Sequence, residues 1–491
     1  MSHIIQQEVM VNLYKKILIS ENYINGSWHK SGNGKSLQVI DKYTQEEITK
    51  VPFCSNEQME EAIQSSVSAF EALKKWSAGQ RSDALEKMRV GLIENQEEFA
   101  QLIAAEAGKP ISYARGEVAR CVDTLKTAVS ETVRFDGEMV PMDYNNGAGK
   151  VAFTRRFPLG PIACISPFNF PLNLALHKIA PAIACGCTVV LKPAPQTPLV
   201  ALAFAKMVDE LDCLPPGALS ILVADIPEAE KLVTDERMKM LSFTGSPQIG
   251  WHLKNIIGKK KVALELGGNA TAIIDESADL KAAAKLCAIG AFLYAGQICI
   301  STQKILVHAT VFDAFKPLLI AEIEKLKIGD PRDEDVMISS IIQPVHVKRI
   351  GDWVNEAVEA GAEVLTGGKV IDQAHGLYAP TLLTNTKKGM KVCDLEAFGP
   401  IAVLEKFDSF KEAITMSNDS AFGLQAGVFT NQFDHVKMAH EELEVGGVMI
   451  NNIPGFRIDS MPYGGVKDSG LGREGIKYTM EEMTEPRLLV Y

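Results

Sequence analysis

The sequence predicts an α/β protein of more than one domain, built on a parallel sheet, and three observations carry that prediction. With 491 residues, 46% of them hydrophobic, the chain has enough apolar material for more than one core. From Pro161, apolar runs at 161–165, 188–192, 218–224, 239–243 and 261–265 alternate with helix-like stretches. That is the rhythm of right-handed βαβ units and of a nucleotide-binding architecture. A second α/β region punctuated by glycine-rich loops follows from about 266 to 476.

Taken in order, residues 1–20 read as an N-terminal arm. Ser55-Asn56-Glu57-Gln58 supplies a helix N-cap with Gln three positions on, after which Ile63, Val67 and Phe70 recur on one helical face. This opens a first domain that spans 21–140 and resumes at 159–265. Between the two halves, the polar turn Asn145-Asn146-Gly147-Ala148-Gly149-Lys150 leads into the strand-like Val151–Arg156. Farther on, Thr197 reads as a helix cap with Pro198 at the first helical position. The second domain is 266–476. The tail Arg487-Leu488-Leu489-Val490-Tyr491 reads as one more strand, whose apolar edge is an aggregation hazard unless covered.

Composition narrows the function. A formal net charge of -11 argues against a nucleic-acid surface. The nine cysteines show no paired metal-ligand spacing, so no metal is expected and most read as reduced core thiols. The N-terminus lacks a basic region followed by an apolar run, and no apolar stretch reaches membrane-spanning length. The expectation is a cytoplasmic protein with neither membrane nor nucleic-acid partner.

Three residues point to chemistry. Cys299 lies in Tyr294-Ala295-Gly296-Gln297-Ile298-Cys299-Ile300-Ser301, where a thiolate would be a strong nucleophile towards a carbonyl and the nearby glycine would admit backbone or cofactor closely. Taken alone, it reads equally as an inert core thiol. Glu265, between Leu264 and Leu266 and ahead of Gly267 and Gly268, should have a raised pKa and room beside it, which suits a general base. A solvent-facing glutamate at a strand end is the alternative. Asn169 sits in the turn Ser166-Pro167-Phe168-Asn169-Phe170-Pro171, stiffened by its prolines. Its amide, with the backbone N–H of Cys299, could receive an oxyanion, or it could simply form the turn.

Asn169, Glu265 and Cys299, with the interval from Glu265 to Cys299, resemble the catalytic set of the aldehyde dehydrogenase superfamily. The resemblance covers nearly the whole chain. It includes Glu106–Pro110, Leu191–Ala194, Phe243–Ser246 with Gly250, Glu396–Pro400, and Met461–Gly465 leading to Lys467, Ser469 and Gly470. It implies a Rossmann-like cofactor domain, an α/β catalytic domain and oligomerisation strands at 141–158 and 477–491, in a homodimer or homotetramer. The implied reaction is non-acylating oxidation of an aldehyde to its acid through a cysteine thiohemiacetal and thioester. Lys178 would relay protons. A CoA-acylating enzyme and a catalytically silent relative are the alternatives, and Glu265 weighs against the first.

The resemblance also implies a nicotinamide cofactor. Its site would comprise Ile165, Ser166, Pro167, Phe168, Lys192, Pro195, Gly245, Ser246, Gly250, Leu266, Gly267, Glu396 and Phe398. The G-x-G-x-x-G fingerprint is absent; Gly245–Gly250 matches the family's own variant, in which the amides of a helix start face the pyrophosphate. Where many NAD-selective relatives carry Glu, this chain has Pro195, so use of both NAD and NADP is expected. For the substrate, Arg120 and Arg457 resemble two phosphate-gripping arginines of non-phosphorylating glyceraldehyde-3-phosphate dehydrogenases. Ile298 and Phe170 replace two polar members of that clamp, and Ile300 adds to an apolar pocket. The chain is therefore most like lactaldehyde dehydrogenases, and its expected substrate is a small hydroxy- or anionic aldehyde such as lactaldehyde.

Overall fold

The computed structural model describes residues 13–30 and 34–491. Of the expected arm, 1–12 lie outside these residues. The 3-10 turn Leu13–Lys16 begins the described chain, and Ile17 is buried against the first core.

The β-rich rhythm after Pro161 folds as the sequence predicts. Strands Ile162–Ile165, Val189–Lys192, Leu219–Ile221, Met240–Thr244 and Lys261–Glu265 pair in parallel. Numbered one to five along the chain, they lie in the spatial order 3-2-1-4-5. The order reverses between the first and fourth strands, and ligands of open α/β sheets bind beyond the strand C-termini at such a switch point. The hairpin Asn22–Ile24 with Ser27–His29 extends one edge; on the other, the short Gly470–Leu471 pairs antiparallel with Lys261–Glu265.

From Glu265 the chain crosses through Leu266–Asn269 into the seven-stranded second sheet. There Ala270–Ile274 lies between Thr302–His308 and Gln425–Phe429, parallel to both. A third sheet joins Met139–Val140, Ala152–Pro158 and Thr484–Val490. The tail expected to be strand from 477 is helical over Ile476–Glu482 and extended only from Thr484. Asn145–Gly147 forms a short 3-10 turn.

Ser55 caps its helix by a reciprocal capping box with Gln58, as expected. Thr197 does not cap its helix. That helix is Leu199–Glu210, preceded by Pro198, while the Thr197 hydroxyl donates to the Phe168 carbonyl. Instead, the Leu199 and Val200 amides donate to the buried carboxyl of Glu106, which supplies both acceptors for the helix start.

A second buried acid does the same nearby. Glu117 accepts from the amides of Leu172 and Asn173, at 3.0 and 3.1 Å, where the helix Asn173–Cys185 begins. It is ion-paired with Lys109, and both side chains are fully buried. The Lys109 ammonium lies 3.8 Å from the Phe170 ring centroid and 4.7 Å from that of Tyr294. One pair thus holds the Asn169 turn and the approach to Cys299 together. Among the described residues no helix is long and apolar enough to cross a membrane.

Removing one partner of a buried pair strands the other charge at a cost of about 3–5 kcal/mol. Glu117→Ala is therefore expected to lower stability by that order in denaturant unfolding, and Lys109→Met/Glu117→Gln to regain much of it.

Candidate active site

Cys299 follows a strained turn. Tyr294 and Ala295 both have φ 53° and Gly296 has φ 68°, the left-handed region that costs a non-glycine residue free energy. Surrounding contacts over-determine the turn. The Tyr294 hydroxyl donates to the Ala107 carbonyl at 3.1 Å, and its amide to the Met337 carbonyl at 3.1 Å. A Cβ on Gly296 would stand 2.3 Å from the Gly399 carbonyl oxygen, so the close approach that requires this glycine is by backbone.

Beyond the turn, Cys299 packs with Ile298, Ile300, Leu424 and Tyr463. Its Sγ is 3.0 Å from the Tyr463 hydroxyl oxygen. Burial pushes the thiol up to about 11, opposed by the Tyr463 hydrogen bond and the Arg457 charge. On the same loop, the Gln297 carbonyl accepts from the side-chain amide of buried Asn169 at 2.9 Å. The expected amide and nucleophile therefore belong to one assembly.

Glu265 ends its strand 3% exposed, and neither carboxylate oxygen has a hydrogen-bond partner among the described residues. Burial, then the Glu474 charge, push it well above the usual carboxylate range; Arg457, Lys178 and Arg473 pull the other way. An acid so placed keeps its lone pairs for a water molecule. The solvent-facing reading of Glu265 is excluded by its burial.

Lys178 reaches the Ser242 and Thr244 hydroxyls, at 3.1 and 2.7 Å, and Glu474 Oε1 at 3.2 Å. Glu474 Oε2 lies 3.1 Å from His177 Nδ1 and 3.3 Å from Arg457 Nη2. Burial alone would raise the Glu474 carboxyl, but Lys178, His177 and Arg457 outweigh it and hold it well below its ordinary range. Arg457 lies over the Tyr463 ring at 3.7 Å. Arg120 donates to Asp459 at 3.2 Å, and Asp459 also meets His177 Nε2 at 2.9 Å. Both arginines line one cavity of about 370 Å³, and each has a buried Nε without a hydrogen-bond partner. Arg457 is buried, its side chain 6% exposed, while Arg120 is partly open at 32%. Phe170 is buried, edge-on to Tyr113 at 5.9 Å.

The expected cofactor residues gather at the switch point. Ile165 ends the first strand, and the Ser166 amide donates to the Lys192 carbonyl. The Ser166 hydroxyl is buried without a partner. Pro167 leads to Phe168, which meets Phe398 edge-on at 5.7 Å. Lys192 ends the second strand, and Pro195 lies exposed on the following loop. The Gly245 amide donates to the Glu265 carbonyl at 3.0 Å. Ser246 stands at the N-cap of Pro247–Ile256, but its hydroxyl makes no capping bond. Leu266 packs where a Cβ on Gly250 would be, 2.4 Å away. Glu396 accepts from the Gly268 amide at 2.9 Å and lies where a Cβ on Gly267 would be, 2.2 Å from it. Burial pushes Glu396 up to about 7, against the Gly268 N–H and Arg349. Uncapped helix amides, an orphan serine hydroxyl and glycine-lined backbone fit a dinucleotide. Among the described residues no cluster of three or more His, Cys, Asp or Glu side chains could hold a metal ion.

Sequence reasoning missed Tyr463, Glu474, His177, Asp459 and Tyr113 as members of this site. Tyr463 lay inside the recognised Met461–Gly465 segment, and His177 precedes Lys178. Those were the available signals. Nothing local marks Glu474.

The profile of the family described as "Aldehyde dehydrogenase family" matches residues 28–489. A 3-sulfolactaldehyde dehydrogenase of Priestia aryabhattai is 42% identical over 471 residues, 95% of this chain and 97% of that protein. Aldehyde dehydrogenase 21 of Physcomitrella patens, solved with the reaction product succinate, superposes with TM-score 0.92 at 41% identity, covering 96% of this chain and 98% of that one. A glyceraldehyde-3-phosphate dehydrogenase of Methanocaldococcus jannaschii, complexed with NADP, superposes with TM-score 0.89 at 36% identity, covering 93% and 99%. With a partly buried cysteine, a partnerless glutamate and a sheet switch point brought together, this chain belongs to the aldehyde dehydrogenase family and is an NAD- or NADP-dependent oxidoreductase of aldehydes.

Proposed function

We propose that the enzyme oxidises a small aldehyde carrying an anionic group two or three carbons from the carbonyl, in the manner of a lactaldehyde-type dehydrogenase. The observation that carries this reading is the pair of buried, partnerless Nε donors of Arg120 and Arg457 lining one cavity. Arg457 is also stacked on the tyrosine that touches Cys299. A carboxylate, sulfonate or phosphate held there would leave its aldehyde near the thiol. Ile298 and Ile300 pack beside Cys299, and Phe170 is buried next to Asn169, so the surroundings of the thiol are apolar.

In this reading Cys299 attacks the carbonyl to form the thiohemiacetal. Asn169 and the Cys299 amide hold the oxyanion. The nicotinamide, when bound, supplies a hydride acceptor. Ser166, Lys192, Gly245, Gly267, Glu396 and Phe398 would hold the dinucleotide. Glu265 then takes a proton from the water that hydrolyses the thioester, and Lys178, beside Glu474, serves as the relay behind it. Assembly as a homodimer or homotetramer is supported by the tail strand Thr484–Val490, with Leu488, Leu489 and Val490 exposed at a sheet edge.

A general base works only once deprotonated, and Glu265 is shifted upward; hydrolysis should therefore speed up as pH rises through a window above that of an ordinary carboxylate. Glu265→Gln should release a burst of reduced cofactor, then stall at all pH values; stopped-flow absorbance reads both.

Pro195→Glu should raise the Michaelis constant for NADP more than for NAD. Because Pro195 is exposed, water screens the like-charge contact, so the difference is expected at roughly tenfold and smaller at high salt.

The substrate reading is tested by Arg457→Ala. Losing a charge-assisted contact costs about 1.5–3 kcal/mol, so kcat/KM for an anionic aldehyde such as succinic semialdehyde should fall roughly tenfold to a hundredfold. A neutral aldehyde of equal size should be nearly unaffected. Equal losses for both would overturn the anion site.

A further inference from the structure

The hydroxyl of Tyr463 points at the reacting sulfur, and nothing in the mechanism above uses it. Its oxygen lies 3.0 Å from Cys299 Sγ. The ring is 5% exposed and fixed from several sides. Its backbone pairs with that of Glu474 in a reciprocal bridge, at 2.9 and 2.6 Å. Ile300 and Leu424 pack on it, and the Arg457 guanidinium covers one face at 3.7 Å. A phenol held so firmly against a sulfur can act in either direction while the sulfur is a thiol. Once the thiol has lost its proton, only the O–H can donate.

We propose that Tyr463 is a catalytic residue, its hydroxyl donating a hydrogen bond to the Cys299 thiolate and so stabilising the attacking form of the nucleophile. The proposal rests on Cys299 being that nucleophile. Chemically, the thiol proton leaves to water and the phenol keeps its own, the O–H turning from acceptor to donor. Burial and the neighbouring Cys299 charge push the phenol well above its ordinary range, which keeps it a donor throughout. Arg457 reinforces the effect, because a cation on the ring face draws electron density from the oxygen and strengthens the O–H as donor. Without that donor, a thiol in this apolar pocket would face burial opposed mainly by the Arg457 charge.

The test is Tyr463→Phe, which keeps the ring and its packing. Alkylation by iodoacetamide, which is uncharged and is not an aldehyde, is followed against pH, with the labelled peptide mapped to Cys299. A charge-assisted hydrogen bond changes the thiolate fraction by about tenfold to a hundredfold, so the alkylation profile of the variant should move to higher pH by roughly one to two units. The burst of reduced cofactor at fixed pH should slow by a similar factor. The preference for anionic over neutral aldehydes should stay the same. An unmoved or downward-shifted profile, with Cys299 labelled in both proteins, would overturn the role of Tyr463 while leaving Cys299 as nucleophile. Labelling of the native chain at some other cysteine would overturn both. Loss of thermal stability without a change in the alkylation profile would reduce Tyr463 to packing and overturn the proposal.

Discussion

Glu474 is a carboxylate buried at the meeting point of three positive or protonatable side chains, and the site's charge balance is organised around it. It draws Lys178 and His177 from the helix after the Asn169 turn, and Arg457 from the loop beyond the second sheet. Through Lys178 it also reaches Ser242 and Thr244 at the end of a strand of the first sheet. Ion pairs buried this deeply contribute little net stability, since desolvation offsets the attraction. Their value here is geometric: each cation has one place where its charge is compensated. The same negative charge adds to burial in discouraging ionisation of Glu265, so one residue organises the framework and also bears on that carboxyl.

The parallel strands were legible because they follow a local pattern with one physical solution. Apolar runs alternating with helices can hardly form anything other than a crossover sheet, whereas a glutamate between two leucines at a strand end leaves burial and solvent both open, and the fold decides for burial. Cys299 and Asn169 stand out in the sequence only through their company, and the fold brings Asn169 to the Cys299 loop. Less legible was anything whose partner is remote. Thr197 looked like a cap because a hydroxyl beside a proline usually is one, yet the helix after it is capped by Glu106, far away along the chain. Glu474 and Asp459 carry no local mark. They acquire meaning only when folding brings His177, Lys178 and the arginines to them.

Glu106 and Glu117 illustrate how a buried acid can be a structural joint. Each accepts the first free amides of a helix in the nucleotide-binding half. Helix starts carry partial positive charge, and a carboxylate compensates it without requiring a full counter-ion. Glu117 takes Lys109 as well, and Lys109 lies among Phe170, Tyr113 and Tyr294. Through this joint the Asn169 turn and the strained approach to Cys299 are tied to one buried ion pair.

The antiparallel strand Gly470–Leu471 closes the first sheet only after the chain has passed through the whole of the second. During synthesis, therefore, the nucleotide-binding half emerges with the Lys261–Glu265 edge unpaired, and waits on the order of two hundred residues for its final strand. The unpaired edge ends in Glu265, and the segment that covers it also brings Tyr463, Glu474 and the tail strand. Cys299 thus meets Tyr463 only after the chain has run through the whole second sheet. A nascent chain that stalls early holds an exposed sheet margin, with Cys299 still apart from Tyr463.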